Sequence, residues 1–240
     1  MNNVVDEALA LVEGLKPLVS QADAVDIAVC PPYTALYPVG KALAGSNIQL
    51  GGQNVYVKES GAYTGEISPK MLLDVGCAWT IIGHSERRHI LGEDDAFLNE
   101  KLRFALASGL KVMFCIGELL EERKGGEMNA VLERQVVAGL DGLDAAALAN
   151  VVIAYEPVWA IGTGETATPE QAEEAHVFVR SLVAKVFGDD AAIAMRIQYG
   201  GSVKPDNAAD LIAKENVDGF LVGGAALKAD GFAAIINACL

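Results

Sequence analysis

The sequence has no run of 18 or more uncharged apolar residues, so nothing in it reads as a membrane span. A basic leader is lacking too, since Asp6, Glu7 and Glu13 stand where a secretory signal would carry Lys or Arg. Basic residues are scarce throughout. Lys and Arg number 18 against 32 Asp and Glu, a net charge of −14, and no basic cluster exceeds a pair such as Arg87-Arg88. That balance excludes a nucleic-acid partner, because too few cations are gathered to displace phosphate counterions. The four cysteines (Cys30, Cys77, Cys115, Cys239) follow no paired or metal-ligand spacing. Cys30 and Cys115 lie in apolar runs and read as small buried hydrophobes of a reducing, cytoplasmic compartment, with no metal site expected.

What is present is a globular composition, 52% hydrophobic and 21% charged over 240 residues. No linker or low-complexity stretch interrupts the chain, which reads as one domain spanning 1–240. Compact apolar runs with weak alternation predict strands at 25–30, 48–52, 79–82, 111–116, 151–155, 195–199 and 219–222, as for a parallel sheet covered on both faces. Helical periodicity lies between them at 68–75, 94–108, 128–139, 169–187 and 205–214, with a last helix at 231–239. Thr168-Pro169 and Lys204-Pro205 supply two of the helix starts. This βα rhythm predicts an α/β fold, a (β/α)₈ barrel, which typically takes roughly 250 residues. The first pattern, at 4–19, is an amphipathic helix with no strand before it, so seven strands are expected where the architecture has eight.

In such a barrel the chemistry sits beyond the carboxyl ends of the strands, and polar residues there are the candidates. His84 follows the 79–82 strand at the start of a helical turn, where a neutral imidazole can donate to a substrate oxygen. Glu156 follows 151–155, where partial desolvation makes a carboxylate a stronger base. After it comes Pro157-Val158-Trp159-Ala160-Ile161-Gly162-Thr163-Gly164, a composition suited to a lid that excludes water. Gly200-Gly201-Ser202 and Gly223-Gly224 follow the last two strands, where glycine lets backbone N–H groups approach a phosphate. Together these sites predict a small phosphorylated substrate handled by one base and one neutral electrophile.

Four segments resemble the triosephosphate isomerase family in order and spacing: Ile82-Gly83-His84-Ser85-Glu86-Arg87-Arg88, Ala154-Tyr155-Glu156-Pro157-Val158-Trp159 through Gly164, Gln198-Tyr199-Gly200-Gly201-Ser202-Val203, and Leu221-Val222-Gly223-Gly224-Ala225. The resemblance covers essentially the whole chain. It implies interconversion of dihydroxyacetone phosphate and glyceraldehyde 3-phosphate without a cofactor, in glycolysis and gluconeogenesis. Glu156 would move the proton between carbons, and His84 would stabilise the enediolate. Gly162, Ser202, Gly223 and Gly224 would bind the phosphate, Glu86 would support the site, and Tyr199 with Ser202 would hold the lid shut. Gly61-Ala62-Tyr63-Thr64-Gly65-Glu66 resembles the family's interface loop, which implies a homodimer through Tyr63-Thr64.

One departure stands out. Family members open with a strand ending in Asn-x-Lys, whereas this chain begins Met1-Asn2-Asn3. Lys204 and Lys228 follow glycine loops but occupy helix-start positions with no matching role. The expectation is therefore a start at an internal methionine or an incomplete chain, with weak or no activity from these 240 residues alone. A non-catalytic phospholigand-binding or assembly protein on the same fold is the alternative. It would need neither the base nor the lid.

Overall fold

The computed structural model describes residues 1–163 and 165–240; Gly164, the last residue of the lid motif, lies outside the described residues. The chain opens with α1 (Val5–Leu18), then β1 (Ile27–Val29), α2 (Tyr33–Ala42), β2 (Ile48–Gly52) and α3 (Pro69–Asp74). β3 (Cys77–Ile82) leads into the short α4 (Ser85–His89) and then α5 (Asp95–Ala107). β4 (Lys111–Ile116), α6 (Leu120–Lys124), α7 (Met128–Gly139), α8 (Ala145–Leu148) and β5 (Val151–Tyr155) follow. After a 3₁₀ turn at Val158–Ala160 come α9 (Pro169–Phe187), α10 (Asp189–Ala194) and β6 (Ile197–Tyr199). α11 (Ala208–Ile212), β7 (Gly219–Phe220), a second 3₁₀ turn and α12 (Ala229–Asn237) end the described elements.

All seven strands run parallel in one sheet in chain order. Their outward side chains, among them Phe114, Ile116, Ile153 and Ile197, pack under the helices in one large core. Their inward ones, Trp79, Ile81, Met113, Cys115, Val152 and Ala154, form a second cluster. Ala28 and Cys30 from the β1 end and Leu221 from the β7 end pack against that same inner cluster, so the sheet curls upon itself. The outer layer closes as well, with α1 packed on α12 and Arg196, ahead of β6, paired with Asp26, ahead of β1, at 2.6 Å. Among the described residues no strand lies between the edges of β7 and β1, and none precedes α1.

The barrel-type α/β architecture and all seven predicted strands are present, β2, β4 and β5 with the expected bounds. Three expectations shift. The helix expected from Pro205 begins at Ala208, because Asn207 accepts from the Lys204 amide at 2.8 Å and donates to the Ser202 carbonyl at 3.0 Å, holding 204–207 in a turn. No helix is predicted between 30 and 48, yet α2 occupies Tyr33–Ala42 with Pro38 accommodated inside it. Cys30 is half-buried, whereas Cys115 is fully enclosed.

Candidate active site

β3 delivers its chain to the site through Gly83. Its φ of +80° favours glycine, and a Cβ there would stand 2.8 Å from the Cys115 carbonyl. His84 then caps α4, its Nδ1 accepting from the Glu86 amide at 3.3 Å. An accepting Nδ1 leaves the proton of the neutral ring on Nε2. That Nε2–H faces Glu156 Oε1 at 3.1 Å.

Glu156 is only 2% exposed. Its backbone N–H donates to the Ile116 carbonyl at 2.7 Å, and its Oε2 accepts from the Ser85 amide at 2.9 Å. Burial raises its pKa above the ordinary 4.5, against the opposing pull of His84, the Ser85 amide and Arg88. Arg88 is itself held by the Gly83 and Cys115 carbonyls and by Asp95 at 2.6 Å, which keeps its cation from neutralising the base outright. The Glu86 carboxylate is largely exposed, 3.8 Å from His84 Nδ1. The sequence-predicted base and electrophile thus lie in direct contact at the ends of β5 and β3.

Two glycines wedge Glu156 in place. A Cβ on Gly117 would fall 1.7 Å from the Glu156 carbonyl oxygen, and one on Gly200 would fall 2.9 Å from its Cγ. Buried Gln135 of α7 clamps Gly117 from behind, accepting from its N–H at 2.7 Å and donating to its carbonyl at 3.1 Å. Neither Gly117 nor Gln135 was singled out by sequence reasoning.

The next residue, Glu118, was missed as well, although it is the polar residue directly after β4 and the strand-end rule pointed to it. It is fully buried, and its Oε1 accepts from Tyr155 Oη and from Trp159 Nε1, each at 3.0 Å. Its carbonyl accepts from the Val158 amide at 3.1 Å. Burial raises its pKa, against those two donors and Arg123. Glu118 therefore anchors the first turn of the lid. Beyond it Trp159 and Ile161 are half-buried, while Gly162, with φ +68°, and Thr163 are exposed. Thr163 Oγ1 donates to the Trp159 carbonyl at 2.7 Å.

The two glycine pairs differ. Gly200 and Gly201 are buried, and a Cβ on Gly201 would stand 2.2 Å from the Tyr199 hydroxyl. Burial pushes the Tyr199 phenol up to about 12, and its hydroxyl lies beside the Ala167 amide at the far end of the lid segment without closing a hydrogen bond. Gly223 and Gly224 are exposed, and a Cβ on either would meet nothing within 4 Å. Ser202 is half-buried, and among the described residues its hydroxyl makes no hydrogen bond to the lid.

This geometry can transfer a proton. A buried carboxylate of raised basicity faces an imidazole nitrogen, with the apolar segment 157–163 beside them and exposed glycines at the end of β7. The family model described as triosephosphate isomerase matches residues 1–239. Triosephosphate isomerase of Clostridium novyi is 54% identical over 237 residues, covering 99% of this chain and 94% of its own. Those of Carboxydothermus hydrogenoformans, 53% identical over 231 residues (96% and 92% of the two chains), and of Rhodopirellula baltica, 50% identical over 238 residues (99% and 94%), are similar.

Proposed function

The chain belongs to the triosephosphate isomerase family, and from that premise we propose that it interconverts dihydroxyacetone phosphate and glyceraldehyde 3-phosphate by proton transfer through an enediolate. The observation that carries this reading is the 3.1 Å contact between the His84 Nε2–H and the enclosed Glu156 carboxylate.

Both oxygens of Glu156 are engaged, one by His84 and one by the Ser85 amide. Substrate entering between the two residues takes over the Nε2–H through its carbonyl oxygen, and this frees a carboxylate oxygen to act as base. Glu156 removes a proton from the carbon beside the carbonyl. The electron pair moves onto the carbonyl oxygen, where His84 stabilises the developing negative charge. Glu156 then returns the proton to the neighbouring carbon while His84 moves a proton between the two oxygens. Backbone N–H groups at Gly162, Ser202, Gly223 and Gly224 hold the phosphate, and Glu86 borders the histidine. The apolar lid, with Tyr199 packed beneath its far end, closes over the enediolate and excludes water.

The test is turnover of glyceraldehyde 3-phosphate by the parent chain and by Glu156→Gln. Removing the general base lowers kcat by on the order of 10³-fold, whereas unchanged turnover would overturn the proposal. A non-catalytic phospholigand binder would show no Glu156-dependent turnover at all.

The assembly proposed is a cytoplasmic homodimer. Residues 58–66 are exposed without interruption, and Tyr63 among them packs against Tyr56 in a tilted pair with ring centroids 4.8 Å apart. Such an exposed loop suits insertion into a second copy of the chain. Among the described residues no helix is long and apolar enough to cross a membrane. Sedimentation of the parent as a dimer and of Thr64→Arg as a monomer is expected, and a monomeric parent would sink the assembly reading.

A further inference from the structure

His176 is a fully buried ionisable group to which the reaction assigns nothing. It lies on the inward face of α9, the helix that the lid segment runs into. Its Nδ1 lies 2.9 Å from the Asn216 carbonyl, which can only accept, so Nδ1 carries the ring proton. Two further α9 side chains secure the same anchor. Glu173 accepts from Asn216 Nδ2 at 2.8 Å, and Arg180 Nε donates to its Oδ1 at 2.7 Å. The imidazole thus projects from a rigid mount. Its ring meets Tyr155 edge-on, with centroids 5.8 Å apart, and leans on Tyr199 at 6.4 Å. Burial lowers its pKa to about 4, which keeps the ring neutral.

The two tyrosines end β5 and β6. Tyr155 precedes Glu156 and holds Glu118, the anchor of Trp159. Tyr199 precedes Gly200, which packs on Glu156. We propose that His176 is a positioning residue for the isomerisation: its ring keys the ends of β5 and β6 at a set spacing and so aims Glu156 and the lid hinge at the substrate. The ring is the working part, and the hydrogen bond to Asn216 only mounts it. A shift of about 1 Å in a catalytic group can cost on the order of 10²-fold in rate.

The proposal rests on the isomerase reading, and two substitutions separate ring from mount. His176→Asn sets an amide N–H where Nδ1–H stands but removes the ring. His176→Phe keeps the ring and drops the hydrogen bond. We expect kcat to fall at least tenfold in His176→Asn with KM changed less than threefold, and to stay within threefold of the parent in His176→Phe, both assayed below their melting temperatures. A second readout needs no turnover. The chain has two tryptophans, and the Trp159 indole N–H resonance shifts in His176→Asn but not in His176→Phe, with Trp79 unmoved in both. Equal losses in the two variants, or a His176→Asn variant with parental kcat and an unmoved Trp159 resonance, would overturn the proposal. If His176→Asn does not fold, His176→Phe alone decides, a loss beyond threefold counting against it. Turnover that Glu156→Gln leaves intact would remove the isomerase reading while the resonance test stood.

Discussion

The rim of this barrel uses one residue type for two opposite purposes. Around Glu156, glycine is what neighbouring atoms demand, since any Cβ on Gly117, Gly200 or Gly201 would collide with the base or with Tyr199. At the end of β7, Gly223 and Gly224 border empty space, and packing asks nothing of them. The first region locks a carboxylate in a pose that dense packing over-determines. The second leaves the backbone at Gly223 and Gly224 open, as the proposed phosphate contact requires. Proton transfer tolerates little misplacement of the base, whereas a phosphate is held by several donors whose contributions add.

The most damaging way to break this contrast is Gly117→Ala. The new methyl must displace the Glu156 backbone, so unfolding free energy falls by about 3 kcal/mol or more and kcat drops by on the order of 10²-fold in the protein that still folds. Chemical denaturation with steady-state kinetics reads both, and parental values would show the β4–β5 contact to be soft. Next in size is Gly224→Ala. Obstructing one backbone donor to a charged ligand raises KM by roughly 10-fold, while stability changes by less than about 0.5 kcal/mol. An unchanged KM would mean that the open glycines do not face the phosphate.

The smallest effect sharpens the comparison through pH. Glu156 must be ionised to accept a proton, and burial raises its pKa above the ordinary 4.5. Activity is therefore lost on acidification earlier than a solvated glutamate would allow, with the acid limb of kcat/KM above 4.5. A limb at or below that value would mean that Ser85, His84 and Arg88 together outweigh burial. Gly224→Ala, remote from the carboxylate, should leave the limb in place.

Much of the site was legible along the chain because its key residues are local. Glu156 follows directly on an apolar strand and His84 one residue beyond another, and the proposed lid is marked by Trp159 and Ile161 set between a proline and glycines. The supporting residues were not legible. Glu118 acts on Trp159, 41 positions away, Gln135 on Gly117, 18 away, and His176 on Asn216, 40 away. No periodicity or spacing encodes such partnerships. Local chemistry also misled at one helix start, since Lys204-Pro205 yields to an Asn207-stabilised turn.

The sequence by itself determined the order of strands and helices, the parallel α/β class and the two side chains proposed to do the chemistry. Those follow from hydrophobic runs, turn residues and side-chain type, all of which act over a few positions. Only the tertiary structure decided that His84 Nδ1 accepts from the Glu86 amide, that Glu156 is enclosed with its pKa raised, and that one glycine pair is buried while the other is exposed. Each of these depends on the field and volume that distant segments create around a residue, and that environment exists only once the sheet has curled.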